Sequence, residues 1–445
     1  MSAFTPPRID RLCRKEAHMM DTSRDEACRH DAADPLRSYR DRFYTQPGTI
    51  YLDGNSLGLL SHDAERTLLR VLTEWKTQGI EAWLHADPPW FTLTEELGAL
   101  MAPLVGAEPD EVIVTASTTV NLHTLVATFY QPTRERRKII ATSLDFPSDI
   151  YALQSQIRLH GGDPARDLVI VQSRDGRLIE EDDIIEAMTP DVAMVILPAV
   201  YYRSGQLLDI ARLTTAAHEL GILIGIDGCH SVGLVPHEFS RWNVDFAFWC
   251  TYKYLNSGPG GTAGLYVNRR HFGTAPGMAG WWGSDKTTQF DMSHTFTGAE
   301  NAGSWQIGTP PLLSTAPLHG SLMMFAEAGI ATIRAASLAR TDYLIALIEA
   351  MGLTNAPYQY DIGTPRDHAR RGGHVAVEHA EGTRIVKALK TKGVIPDFRP
   401  PNIIRLAPIA LYTSYDECWQ AAHHLKAIID ERAYEAFPGG RDLVA

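Results

Sequence analysis

The chain is 445 residues long, enough for more than one hydrophobic core, and its 44% hydrophobic and 21% charged residues are those of an ordinary soluble globular protein. A net charge of −12 argues against nucleic acid and anionic membrane surfaces as partners, and no apolar run reaches the ~18 residues of a membrane span. The five cysteines have neither disulfide-framework nor metal-site spacing, and the first twenty residues hold no uninterrupted apolar segment, so a reducing cytoplasm is the expected compartment.

Residues 1–45 are polar and rich in Arg and Asp, which suggests a loosely ordered arm, helical near Asp34 to Phe43. A large domain is expected over 46–310. It opens on TIYLDGNSLGLL, a short strand followed by Asp53, Gly54, Asn55 and Ser56. These small residues read either as a strand-to-helix turn or as a loop facing substrate. Ala64 to Thr77 has helical spacing. GIEAWLHADPPWF then sets Trp83, His85 and Trp90 among prolines, where aromatics are free to wall an aromatic substrate.

From Glu111 the pattern becomes strand, turn, helix, repeated. EVIVTAS is a strand, and Ser117, Thr118 and Thr119 fall at the start of the next helix. Free N–H groups and hydroxyls there suit a phosphate, and equally suit ordinary capping. After the strand KIIATS, Phe146 precedes a helix beginning near Ser148 and is placed to stack on a flat ring. Asp149 lies in the first turn, where a carboxylate is favoured anyway. DLVIVQ, VAMVILPAV, ILIGID, DFAFWC and GTAGLYVN continue the strands, with helices near Glu181–Met188 and Ile210–Leu220. Apolar strands alternating with helices predict an α/β fold with a mostly parallel sheet covered by helices.

Two strand ends carry the chemistry. Lys253 stands between the buried run DFAFWC and the Gly-rich turn NSGPGG, flanked by Tyr252 and Tyr254. Burial there makes its amine nucleophilic, a candidate for a Schiff base with pyridoxal phosphate (PLP). The alternative is a lysine that snorkels from a strand end. Asp227 closes ILIGID, where it either caps a turn or holds the protonated ring nitrogen of PLP. Ligands of such sheets lie beyond the carboxyl ends of the strands, where Thr118, Thr119, Phe146, Asp227 and Lys253 are found.

After Asn268 come loops rich in Gly, Trp, Ser and Thr, then a helical pattern from Leu312 to Met351. Short strands near Gly373–Val377 and Ile403–Ala407 and a closing helix from Tyr415 to about Ala433 predict a smaller α+β domain over 311–445. Arg405, inside the apolar strand NIIRLAP, needs a carboxylate partner, either within the protein or on a substrate.

The segments YLDGNSLGL, TTVNLH, FPSDIYALQSQIRLHG, DFAFWCTYKYLNSGPGG, GWWG, IGTPPLL and NIIRLAPIALY together resemble the kynureninases, of the PLP-dependent fold type I, aminotransferase class V group. The resemblance spans the chain from about Tyr51 to the final helix. It implies PLP-dependent hydrolysis of the Cβ–Cγ bond of L-kynurenine to anthranilate and L-alanine, by a homodimer with shared sites. It implies roles residue by residue. Lys253 carries the cofactor and moves the α-proton, Asp227 pairs with the pyridinium, with His230 close by, and Phe146 stacks on the ring. Thr118, Thr119 and Tyr252 serve the phosphate, with Trp281 and Thr309 of the partner subunit. Asp149 lies at the cofactor's edge, Arg405 holds the substrate α-carboxylate, and Asn55 and Ser56 lie in the substrate pocket. Trp83 and Thr309 resemble the kynurenine-preferring type rather than the 3-hydroxykynurenine-preferring one. Ser284 departs from the family, which usually has His there, and so opens the alternative of a ring-substituted kynurenine as substrate. Rivals on the same scaffold are a cysteine desulfurase, whose nucleophile would have to be Cys418, and an aminotransferase, which would need a second substrate; a rival of another class is a PLP-binding homologue that has lost catalysis and serves as a binding or sensing protein.

Overall fold

The computed structural model describes residues 21–440. Its largest element is a seven-stranded sheet in the order Val112–Val114, Gly264–Val267, Phe246–Trp249, Leu223–Asp227, Val192–Pro198, Lys138–Thr142, Leu168–Val171. Only Gly264–Val267 runs against its neighbours; every other pairing is parallel. Alternate residues go to opposite faces, Phe246 and Phe248 into one apolar core and Ala247 and Trp249 into the other. Both faces are therefore buried, which is why these strands read as continuous apolar runs.

A second sheet holds Asp397–Arg399, Ile403–Leu406, Val375–Glu378 and Asp361–Ile362 in that order, all antiparallel. The helices Ile330–Ala350, Gly382–Thr391 and Tyr415–Asp430 contribute to a separate core around it. The expected domain boundary near Pro310 precedes the helix Leu312–Ala328, whose Leu318, Leu322 and Phe325 join the core of the large sheet. That helix ends at Gly329, where φ is +75° and the next helix turns away by 82°, although Ile333 and Ala336 of the next helix also reach the large core. No single helix among the described residues is long and apolar enough to cross a membrane.

Where the sequence suggested a loosely ordered arm, residues 24–33 form a helix docked on the closing helix. Asp31 accepts from the N–H groups of Tyr415 and Asp416 at 2.7 and 3.0 Å, capping that helix, and Arg24 Nε pairs with Asp416 at 2.6 Å. Charge pairing and capping supply the order that the arm's low hydrophobicity does not. Nearby, Ile50–Tyr51 pairs in parallel with Val394–Ile395, and Ala407 N donates to Leu52 O at 2.9 Å. These bonds fasten the strand to the smaller sheet. The loop that follows reaches the larger one, where Gly58 N donates to Tyr252 O at 2.8 Å.

Candidate active site

One cavity at the carboxyl ends of the parallel strands is lined by Asn55, Ser56, Thr118, Thr119, Phe146 and Asp149, and by Asp227, His230, Tyr252, Lys253 and Arg405. Eleven of the fifteen candidate residues named above are thus brought together. Trp83, Trp281, Ser284 and Thr309 are not among its lining. Trp83 packs on Trp90 and Trp282 at ring distances of 5.8 and 5.3 Å, and Ser284 bridges to Gly298. Trp281 and Thr309 are exposed.

Lys253 follows the strand Phe246–Trp249 in a tied turn. Thr251 Oγ1 donates to Thr262 O at 2.7 Å and so accepts from Ser257 Oγ at 2.6 Å, while Asn256 sits at φ +54°. The loop before it is pressed close. A Cβ on Gly58 would overlap the Lys253 carbonyl and the Asn256 side chain, so only glycine fits there. Lys253 Nζ lies 3.0 Å from His230 Nε2 and 5.8 Å from the centre of the Phe146 ring. Burial, then the charge of Lys253, pushes the His230 imidazole well below its ordinary range, so it is neutral.

Asp227 accepts from Cys229 N at 2.7 Å. It shares its surroundings with two further acids. Burial, then Asp227 and Asp145, raises the Asp149 carboxyl well above its ordinary value. Asp145, which accepts from Thr142 N at 2.9 Å and from Thr142 Oγ1 at 2.5 Å, is pushed up to about 7, chiefly by burial. Three acids gathered out of water make a site that favours a cation.

The anionic end is equally plain. The helix Thr118–Phe129 has no side-chain cap, and its first residues line the cavity. Its free N–H groups meet the cavity beside the Thr118 and Thr119 side chains. Phe146, although 42% exposed, is fixed edge-on to Tyr202 at 5.3 Å, with the ring open to the cavity. An amine, an acid cluster, an open aromatic face and an uncapped helix start fit the aldehyde, ring nitrogen, ring face and phosphate of PLP.

The opposite wall is cationic. Arg405, 1% exposed, donates from Nη1 to Tyr202 O at 2.8 Å and from Nη2 to Ser56 Oγ at 3.0 Å, and it pairs with Asp397. The ion-pair alternative for Arg405 is thus realised, and the same guanidinium also lines the cavity. Arg399 shares Asp397 at 3.1 Å. Burial lowers Arg405 to about 10, so it stays charged at neutral pH. Asn55 is fully buried against the cavity, and neither end of its amide has a protein partner among the described residues. Such an amide is a ready contact for a polar ligand.

Sequence reasoning missed Tyr202, Arg399, Asp397 and Asp145. Tyr202 follows the strand Val192–Pro198 and was open to the strand-end logic that found Asp227. The pairing of Asp397 with residues near position 56 has no local signal.

Known proteins resemble the chain at two levels. The family model of the kynureninase C-terminal domain matches residues 333–425. A kynureninase of Geobacillus thermodenitrificans is 60% identical over 415 residues, 93% of this chain and 96% of its own length. One of Bacillus anthracis is 57% identical over the same shares. Among solved structures, a C-DES mutant with glycine covalently linked to its PLP cofactor has a TM-score of 0.74 at 18% identity, covering 87% of this chain and 98% of its own. The apo cysteine desulfurase of Thermococcus onnurineus NA1 also has a TM-score of 0.74, at 16% identity, with 88% and 98% covered. At such identities the likeness speaks for the PLP fold alone. Desulfurase chemistry finds no support at Cys418, which is fully buried within the helix Tyr415–Asp430 with its thiol pushed up by burial.

Proposed function

The chain belongs to the kynureninase family, and from that premise we propose how its own residues carry the reaction. It uses pyridoxal 5'-phosphate to hydrolyse L-kynurenine at the Cβ–Cγ bond, giving anthranilate and L-alanine. One observation carries the assignment of roles: a lysine amine, an acid cluster, an open aromatic face, an uncapped helix start and a buried guanidinium share one cavity.

When bound, PLP supplies the electron sink that lets a carbon–carbon bond break with its electrons left on Cβ. Lys253 Nζ takes the α-proton and returns it, with His230 Nε2 at 3.0 Å as its neutral hydrogen-bond partner. Asp227, oriented by Cys229 N, would hold the proton on the ring nitrogen, with Asp149 beside it. Phe146 would stack on the ring. Thr118, Thr119 and the first N–H groups of their helix would receive the phosphate. Arg405 grips the α-carboxylate, and Asn55 and Ser56 border the substrate. Tyr252 keeps its phenolic proton because burial raises its pKa, so it serves as a donor near the phosphate end. Borohydride reduction of the PLP-loaded protein followed by peptide mapping tests the central role: the label belongs on Lys253, and a label elsewhere overturns it.

The proposed assembly is a homodimer. Leu69, Leu72, Trp75, Ile80 and Leu84 are each exposed on and after the helix His62–Gln78, apolar surface suited to a second copy. In this reading Trp281 and Thr309 of the partner subunit complete the phosphate site. Sedimentation tests it: the parent runs as a dimer, Trp75→Asp shifts it toward monomer with weaker PLP binding, and a monomeric parent contradicts it. A reducing cytoplasm is the proposed compartment, since Cys229 and Cys250 are free thiols on adjacent strand ends, with Cys250 N donating to Cys229 Sγ at 3.3 Å.

A further inference from the structure

His230 and His374 are neighbouring buried imidazoles, each with an unpartnered Nδ1 among the described residues. A lysine ammonium only donates, so the 3.0 Å contact with Lys253 Nζ makes His230 Nε2 an acceptor. Because His230 is neutral, its one proton then sits on Nδ1. That nitrogen is buried and has no protein partner among the described residues. His374, immediately before the strand Val375–Glu378, is 0% exposed. Its Nε2 lies 3.4 Å from the Arg203 carbonyl oxygen, which only accepts, so Nε2 carries the proton. Burial brings His374 down to about 3, which leaves it neutral and its Nδ1 bare. Nδ1 of His374 is likewise buried without a protein partner. The two ring centres are 6.2 Å apart at 66°, a separation on the scale that a small shift or one bridging water spans.

His374 is also held still. Gly205, at φ +74°, lets the backbone run against its ring, and a Cβ there would stand 3.0 Å from the His374 carbonyl and 3.4 Å from Nε2.

We propose that His374 is a positioning residue: its Nδ1 lone pair takes the hydrogen bond of His230 Nδ1–H, directly or through one water, and thereby keeps the His230 Nε2 lone pair turned to Lys253. With the other tautomer, His230 Nε2–H and the Lys253 ammonium would oppose two donors across 3.0 Å. The proposal rests on the role given to Lys253 above. The groups facing His230 are Lys253, His374, Arg405, Arg399, Tyr202 and Tyr254. Of these, Arg405 Nε, Arg399 Nε and Tyr254 Oη are also buried without a partner among the described residues; the guanidinium nitrogens only donate, so the rival acceptor is Tyr254, its ring centre 6.5 Å away.

The test reads the tautomer itself, on protein without cofactor, so that an inactive enzyme and a missing hydrogen bond are separate outcomes. Protein labelled with 15N-histidine is studied by NMR at pH 7, with His230 Nδ1 and Nε2 assigned from their loss in His230→Gln. The parent is expected to show a protonated Nδ1 and a bare Nε2. His374→Asn, whose amide oxygen replaces the Nδ1 acceptor, retains that pattern, and so does Tyr254→Phe. His374→Leu converts it to a mixture and shifts the pH profile of kcat/KM, which His374→Asn restores. A parent with Nε2–H, an unchanged tautomer in His374→Leu, or a collapse in Tyr254→Phe alone would each overturn the proposal.

Discussion

Replacing Arg405 with Met separates what this guanidinium does for the fold from what it does for the substrate. In the folded chain it is 1% exposed and its partner Asp397 is 0% exposed. Breaking one side of a buried ion pair costs about 3–5 kcal/mol, because the other charge is left out of water. Asp397 keeps Arg399 at 3.1 Å and Ser56 Oγ at 3.3 Å, so the expected loss is at the low end, about 3 kcal/mol. Removing the orphaned charge as well, in Arg405→Met with Asp397→Asn, recovers about half of that, a coupling of about 1.5 kcal/mol. For the substrate, losing a two-bond grip on the α-carboxylate costs about 3 kcal/mol, which raises KM about a hundredfold with a smaller change in kcat. Urea unfolding followed by tryptophan fluorescence and steady-state anthranilate release measure the two effects. A stability loss with KM within threefold of the parent would make Arg405 a structural ion pair only. An unchanged stability would refute the buried-pair reasoning.

Other substitutions probe the support beneath the site. Gly58→Ala forces a methyl onto the Lys253 carbonyl. It is expected to cost about 1–3 kcal/mol and to lower kcat by about a hundredfold through displacement of the lysine turn, and a fully active variant contradicts that packing. Asp145 titrates at about 7 in the folded chain against an ordinary 3.8, so the folded state keeps a proton that the unfolded chain has released between those values. Stability therefore falls as pH rises from about 4 to about 7, by at most about 4 kcal/mol, and levels off above. Asp145→Asn removes this fall, and a Tm–pH profile that is the same in parent and variant contradicts it.

The sheet and most of the site were legible because the physics that builds them is local. Strands buried on both faces leave unbroken apolar runs, and DFAFWC and ILIGID end where Lys253 and Asp227 begin their work. Phe146, Thr118 and Thr119 follow the same rule of strand end and helix start. What was not legible depends on distant parts of the chain. The ordered helix Arg24–Ala33 is held by partners such as Asp416, in the last helix, so a polar sequence read as loose is firmly docked. Asp397 and Arg399 sit in the three-residue strand Asp397–Arg399, too short for any period, yet they set the charge around Arg405. Trp281, Ser284 and Thr309 came from resemblance, and Trp83 also from its proline-broken aromatic loop, and folding of one chain does not bring them to the cavity.

The central claim is tested most directly by following products. Purified protein with PLP, given L-kynurenine, is expected to release anthranilate and alanine in equal amounts, and Lys253→Ala is expected to release neither while keeping its fold. Turnover that leaves anthranilate and alanine unequal, or that survives Lys253→Ala, would contradict the account.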